Sequence, residues 1–296
     1  MFNPKETEVS PQAPFIERLN RRWRITDSMA GVGLDPDLGK IPEFIWKQVG
    51  RKNNIAKGIV AFNRLVIEAT HPFVCAYKLQ KGFYQGSEGE KALEATVKLI
   101  RSTDPSILVI YDGKIGDIEN TAVKYREYLF DELEVDALLI NPYMGSSAVL
   151  PFAERPDKGV IVLCRTSNPE AEQIQGLRLD NGKQVWQVVL DRCANEWNTH
   201  QNIIACLSAT FPQDLENIRR TIGDIPILLA GVGTQGGSLS TSLPHVLDSQ
   251  GYGVIVSSSR SIIFAQPLPE ETHAHAITRA VINLRANLRQ SKHASQ

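Results

Sequence analysis

Asp112, Lys114 and Asp117 stand close together in the segment Tyr111-Asp112-Gly113-Lys114-Ile115-Gly116-Asp117. They follow an apolar run, Ile107-Leu108-Val109-Ile110, that reads as a buried strand. Side chains two apart on a strand share a face, so Asp112 and Lys114 should project together, with Asp117 on the next loop. Carboxylates gathered round one ammonium do little for folding, but they hold a lysine protonated and ready to deliver a proton. Opposite charges a few ångströms apart favour the ionised forms of all partners. At an effective dielectric near 20 each close pair interacts by roughly 4 kcal/mol. A Schiff-base lysine needs a neutral amine, so this pattern suits a general acid or a fixed positive charge instead. Two plainer readings compete. The charges could be a rim salt-bridge network, and Asp117 could N-cap a helix beginning near Ile118.

Such a row needs a scaffold that puts strand ends side by side. Eight short apolar runs are spaced along the chain: Gly31–Asp35, Phe73–Lys78, Ile107–Asp112, Ala137–Asn141, Val160–Arg165, Ile203–Ser208, Ile227–Gly231 and Val254–Ser257. Helical segments such as Ala56–Thr70 and Glu90–Arg101 separate them, with apolar residues three and four apart. Alternating strand and helix implies a parallel sheet. Eight such units, with strands apolar on both faces, predict an α/β fold of the closed (β/α)₈ TIM-barrel type. A doubly wound open sheet is the alternative, but no linker or charge block divides the chain. The expected layout is a loose lead-in over 1–14, one barrel domain over 15–286, and a loose tail over 287–296.

Active sites of this fold sit at the C-terminal strand ends. The polar residues that end each run should therefore converge: Asp35, Lys78, Asp112 with Lys114, Asn141, Ser167, Gln235 and Arg260. Lys78 would join the row from the neighbouring strand. The segment Gly231-Val232-Gly233-Thr234-Gln235-Gly236-Gly237 matches G-x-G-x-x-G, but it lies near the seventh strand and lacks the acidic residue of a dinucleotide site. Its glycines, Gly233 and Gly236 among them, can instead offer backbone N–H groups to a phosphate, with Arg260 facing them after strand eight. Ser167 opens a long polar connection that could serve as a lid and contact a polar ring, or could be a plain turn. Asp35 could accept from a sugar hydroxyl, or simply make an Asp-Pro turn.

With 32 basic and 33 acidic residues the formal charge is −1, so no field favours nucleic acid or an anionic membrane. No run approaches the apolar length of a membrane span. The opening residues lack a basic-then-apolar signal, so the cytoplasm is the expected location. Cys75, Cys164, Cys193 and Cys206 form no C-x-x-C pair and should be buried free thiols. None of the six histidines ends a strand run, which argues against histidine acid–base chemistry and a histidine metal centre. The tryptophans should be packing residues.

In order, Gly33-Leu34-Asp35-Pro36-Asp37, Tyr77-Lys78-Leu79-Gln80, Asp112-Gly113-Lys114-Ile115-Gly116-Asp117-Ile118 with Asn120-Thr121, Asn141-Pro142-Tyr143, Arg165-Thr166-Ser167-Asn168-Pro169, the glycine loop with Gln235, and Ser259-Arg260 resemble the orotidine 5′-phosphate decarboxylases, in their longer bacterial branch. The resemblance spans nearly the whole chain. It implies cofactor-free, metal-free decarboxylation of orotidine 5′-monophosphate to uridine 5′-monophosphate, ending de novo pyrimidine synthesis. It implies that Lys114 protonates C6, that Asp112 lies against the departing carboxylate, and that Lys78 orients Asp112 and the ribose. Asp35 would hold the ribose, Ser167 the pyrimidine edge, Gln235 both phosphate and ring, and Arg260 the phosphate. Asp117 and Thr121 would come from the other subunit of a homodimer. Gly113 and Ile115 depart from the usual Ala and Arg spacers and should point away from the site. The sixth run, Ala205-Cys206-Leu207-Ser208, replaces a more usual glycine and valines. Two rivals remain. One is a metal-dependent phosphosugar decarboxylase or aldolase on the same barrel, although Lys78 stands where those relatives carry an acidic ligand. The other is a non-catalytic nucleotide-binding barrel.

Overall fold

The structure, a computed structural model, describes residues 10–50, 54–216, 218–232 and 237–293. Eight parallel strands close on themselves in sequence order: β1 Ala30–Gly33, β2 Ala76–Gln80, β3 Leu108–Ile115, β4 Ala137–Ile140, β5 Gly159–Leu163, β6 Ile203–Ser208, β7 Ile227–Ala230 and β8 Val254–Ser258. The expected (β/α)₈ barrel is therefore the fold. Most strand residues are buried, as a sheet enclosed by helices requires. Each fully buried Val, Leu or Ile contributes about 1.5–3 kcal/mol.

Helices wrap the outside. Ile55–Thr70 buries Ile59, Phe62, Val66 and Ile67 at three- and four-residue spacing, and it packs beside Gly86–Thr103, which buries Leu93, Thr96, Val97 and Ile100. Phe15–Thr26 precedes the barrel and buries Phe15, Leu19, Arg22 and Trp23. All four tryptophans are buried packing residues, as expected. The final helix runs from His273 to His293, so residues 287–293, expected as a loose tail, continue it, and Leu288 is buried. No described helix is long and apolar enough to cross a membrane.

Beneath the strands, buried and half-buried polar groups strap neighbouring units together. Arg22 donates to the carbonyls of Val74 (3.0 Å) and His71 (2.7 Å) and to Asp104 (2.7 Å), joining the approaches to β2 and β3. Asp136 accepts from Arg18 (2.7 Å), Arg101 (2.6 Å) and the Val109 amide (2.7 Å), joining β3 to β4. Burial opposes its charge, but Arg101 and Arg18 overcome that and hold its pKa below the ordinary value. The Asn202 side-chain amide donates to the carbonyls of Ala153, Arg155 and Lys158, joining β5 to β6. Arg219 gathers the carbonyls of Gly223, Ile225, Val246, Leu247 and Gly253 around β7 and β8.

Candidate active site

Strands β2 and β3 lie side by side with Lys78 level with Ile110 and Gln80 level with Asp112. From two residues lower, Lys78 Nζ reaches up to Asp112 Oδ2 at 2.8 Å, and Lys114 Nζ donates to Asp112 Oδ1 at 2.6 Å. Asp112 is thus held between two ammonium groups. Its side chain is 6% exposed, whereas Lys114 is 44% exposed. Burial alone would raise the Asp112 pKa, but Lys78 and Lys114 outweigh it and the carboxyl ends below the usual range. Burial likewise works against charge on Lys78, yet Asp112 and then Asp35 overcome it and raise its pKa above 10.5.

The placement of Lys114 comes from a break in the ladder. Against β4, Tyr111 pairs with Leu138 but Ile115 pairs with Ile140, so β3 carries two extra residues across this step. Bulges of this kind re-aim side chains beside active sites. Lys114 itself adopts φ 48°, in the left-handed region. Gly113 has a physical reason to be glycine, because a Cβ there would lie 2.3 Å from the Tyr111 ring. Ile115 packs against the core, away from the row, as expected.

Asp35 follows β1. Its Oδ1 is buried and has no partner among the described residues. The backbone before it rests on a shelf that the sequence did not reveal. Leu34 N–H donates to the Lys78 carbonyl (2.8 Å), and Tyr84 Oη donates to the Leu34 carbonyl (2.9 Å). Asn63 in turn donates to Tyr84 Oη (2.9 Å) and to Thr96 Oγ1 (2.9 Å). Burial pushes the Tyr84 phenol well above its ordinary pKa, so it remains a donor. No periodicity or motif marks Tyr84 or Asn63 for this task.

One cavity of about 250 Å³ opens at the strand ends, and Asp35, Lys78, Asp112, Lys114, Ser167 and Arg260 all line it. Ser167 sits after β5, and its carbonyl accepts from Thr210 Oγ1 at 3.3 Å. Gly231, immediately after β7, has φ 79°, and a Cβ on it would press on Ser167 Cβ at 3.1 Å. Arg260 is exposed and begins the short helix Arg260–Ile263 after β8. Gly233, Gln235 and Gly236 lie outside the described residues. Cys206 lines the cavity and is buried, and its thiol is pushed up to about 12, chiefly by burial and then by Cys164 and Asp112. The four cysteines are all free and buried. No histidine is among the described residues that line this cavity.

Three polar residues do not line it. Asn141 accepts from Tyr143 N–H at 3.1 Å and caps the 3₁₀ turn Pro142–Ala148, so its expected convergence fails. Asp117 accepts from the Ile118 amide (2.9 Å), and Thr121 is exposed. The helix Glu119–Arg126 has Ile118 at its N-cap with no side-chain cap, so Asp117 is not the capping residue. Ile118, next to Asp117 in the chain, and Tyr143 and Met144, in the turn that contacts the helix Glu119–Arg126, leave 42%, 84% and 54% of their surface exposed. A roomier hollow of about 500 Å³ lies outside the barrel, between Gly86–Thr103 and the π-helical turn Glu127–Glu132, away from the strand ends.

The family model for the orotidine 5′-phosphate decarboxylase / HUMPS family matches residues 53–275. An orotidine 5′-phosphate decarboxylase of Cellvibrio japonicus is 38% identical over 251 residues, covering 85% of this chain and 90% of that protein. One from Natronomonas pharaonis is 42% identical over 252 residues, covering 85% and 88%. The solved structure of Leishmania donovani OMP decarboxylase superposes with a TM-score of 0.80 at 29% identity, covering 95% of this chain and 99% of that one. A match over most of the chain, on a barrel whose mouth holds the alternating charges, places this protein in the orotidine 5′-phosphate decarboxylase / HUMPS family.

Proposed function

We propose that this protein decarboxylates orotidine 5′-monophosphate to uridine 5′-monophosphate and carbon dioxide, without metal or cofactor, as the last step of de novo uridine monophosphate synthesis in the cytoplasm. The observation that carries this reading is the Asp112 carboxylate held by Lys78 and Lys114 at the mouth of the cavity. When the bond from C6 to its carboxylate breaks, the electron pair stays on C6 and carbon dioxide departs. The Lys114 ammonium stabilises that developing charge and delivers a proton to C6. It becomes a neutral amine and regains its proton from solvent. Asp112 sits against the leaving carboxylate, and Lys78 fixes Asp112 and the ribose. Asp35, whose buried Oδ1 lacks a partner among the described residues, accepts from a ribose hydroxyl. Ser167 holds the pyrimidine edge, and Arg260 the phosphate, joined by Gln235 and the backbone of Gly233 and Gly236. Phosphate binding far from C6 lets remote contacts raise the rate.

The active form we propose is a homodimer in which Asp117 and Thr121 complete the partner's site. Both lie outside their own cavity; Ile118, next to Asp117 in the chain, is exposed, and so are Tyr143 and Met144 in the turn Pro142–Ala148 that contacts the helix carrying Thr121. A phosphosugar lyase of the same family would need carboxylates free to hold a divalent ion, whereas Asp112 here is neutralised by two lysines. A barrel that only binds nucleotides would not need a proton donor at C6.

The decisive assay follows the loss of orotidine monophosphate absorbance in chelator. Wild type should turn over, and Lys114→Ala should lose about 10³-fold or more in kcat. No turnover by wild type in chelator would overturn the reaction; full activity in Lys114→Ala would overturn the mechanism.

A further inference from the structure

The connection after β5 is long, and a lone serine at its start would be poorly placed to meet a ligand if the segment moved freely. It is tied down from beneath by Arg165. The Arg165 side chain is only 2% exposed. Its Nε donates to Asp214 Oδ2 at 2.8 Å, in the short helix Pro212–Leu215 after β6, and its Nη2 donates to Glu172, in the 3₁₀ turn Pro169–Gln173. The guanidinium also lies over the Phe211 ring, 4.1 Å from its centroid. One planar group therefore joins the end of β5, the turn beyond Ser167, and the loop after β6.

Two further ties flank Ser167. The Gln175 side chain accepts from Thr166 N–H (2.9 Å) and donates to Thr166 Oγ1 (2.8 Å). On the other side Thr210 holds the Ser167 carbonyl and pairs with Ser208 Oγ at 2.7 Å. The contrast with Arg219 is informative. At the far end of the barrel, Nε, Nη1 and Nη2 of Arg219 all donate to carbonyls. Arg165 leaves Nη1 buried with no partner among the described residues, and it lines the same cavity as Ser167. A buried donor without an acceptor is an unfavourable way to fasten a loop and nothing more.

We propose that Arg165 is a positioning residue for this reaction: it presets the β5 loop, and with it Ser167, against the base end of the cavity before the nucleotide arrives. The proposal rests on the assignment of Ser167 to the pyrimidine. Lysine would be a poor replacement, since its compact ammonium lacks the planar fork that reaches out to both carboxylates while lying flat on the ring.

A double-mutant cycle tests this. Arg165→Lys should lower kcat/KM for orotidine monophosphate about tenfold, carried mainly by KM, in the chain that keeps Ser167. In a Ser167→Ala background the same change should matter less than about twofold, because the group being positioned is gone. Glu172→Gln, altered at the exposed end of the clamp, should show the same dependence on background at smaller amplitude, and it decides the matter alone if Arg165→Lys does not fold. An equal loss in both backgrounds would reduce Arg165 to a structural residue and overturn the proposal. The cycle can also be read in the Kd for uridine 5′-monophosphate. Coupling there, with no turnover by wild type, would remove the proposed reaction and leave the clamp standing.

Discussion

Asp112 and Lys78 titrate in opposite directions, and that sets the pH behaviour of the site. Asp112 has its pKa lowered on folding, so its pairing stabilises the fold fully above the unfolded value of about 3.9 and is lost as pH falls through the folded value. Lys78 has its pKa raised, so its contribution is complete below 10.5 and is lost as pH rises through the folded value. Between those limits neither group changes charge. A profile of kcat/KM should therefore show no limb from either residue across about pH 5–9. A limb in that window that shifts in Asp112→Asn would contradict the assignment. The row was legible in the sequence because Asp112 and Lys114 sit two apart at the end of an apolar run. Lys78 was legible only once the barrel was assumed. What stayed hidden was the local backbone: φ 48° at Lys114 and the ring of Tyr111 over Gly113 are contacts in space that leave no periodic trace.

Elements decide how well those residues are held. The expected strand runs match the observed strands closely for β6, and within a few residues elsewhere. The third run is an instructive exception. It was expected to end at Asp112, yet β3 continues to Ile115 through the two-residue bulge. Strand period alone cannot signal a bulge, because the extra residues belong to pairing and not to composition. The connection after β5 was expected as a long polar loop. It is organised by the 3₁₀ turn Pro169–Gln173 and by an antiparallel bridge between Arg178 and Gln184. The shelf below Asp35 makes a test at this scale. Tyr84→Phe strands the Leu34 carbonyl and removes one acceptor from Asn63, which should cost about 1–3 kcal/mol in urea unfolding. KM for orotidine monophosphate should rise several-fold with kcat little changed, since Asp35 is oriented and not replaced. Lost stability with an unaltered KM would show that the shelf does not reach Asp35.

At the scale of the whole molecule, the open question is the second copy. In a two-fold dimer that shares sites, mixing Lys114→Ala with Asp117→Ala chains leaves one intact site per mixed dimer, so roughly a quarter of wild-type activity should return at random exchange. Recovery of nothing, with mixed dimers demonstrated by mass, would exclude a site built from both chains. The closed barrel was legible because eight strand–helix repeats are a global pattern. The proposed sharing of Asp117 and Thr121 between two chains rests on the family likeness, because exposed residues such as these have no sequence signature of their own. The straps formed by Arg22, Asp136, Asn202 and Arg219 have a consequence of their own. They act as a hoop around one rim of a cask, while the opposite rim carries the charged row and the exposed side chains of Lys114 and Arg260. Regions of low local stability open at smaller free energies than the whole. The staves should thus stay joined after the catalytic rim has slackened, so that mild denaturant silences the protein before it unfolds it.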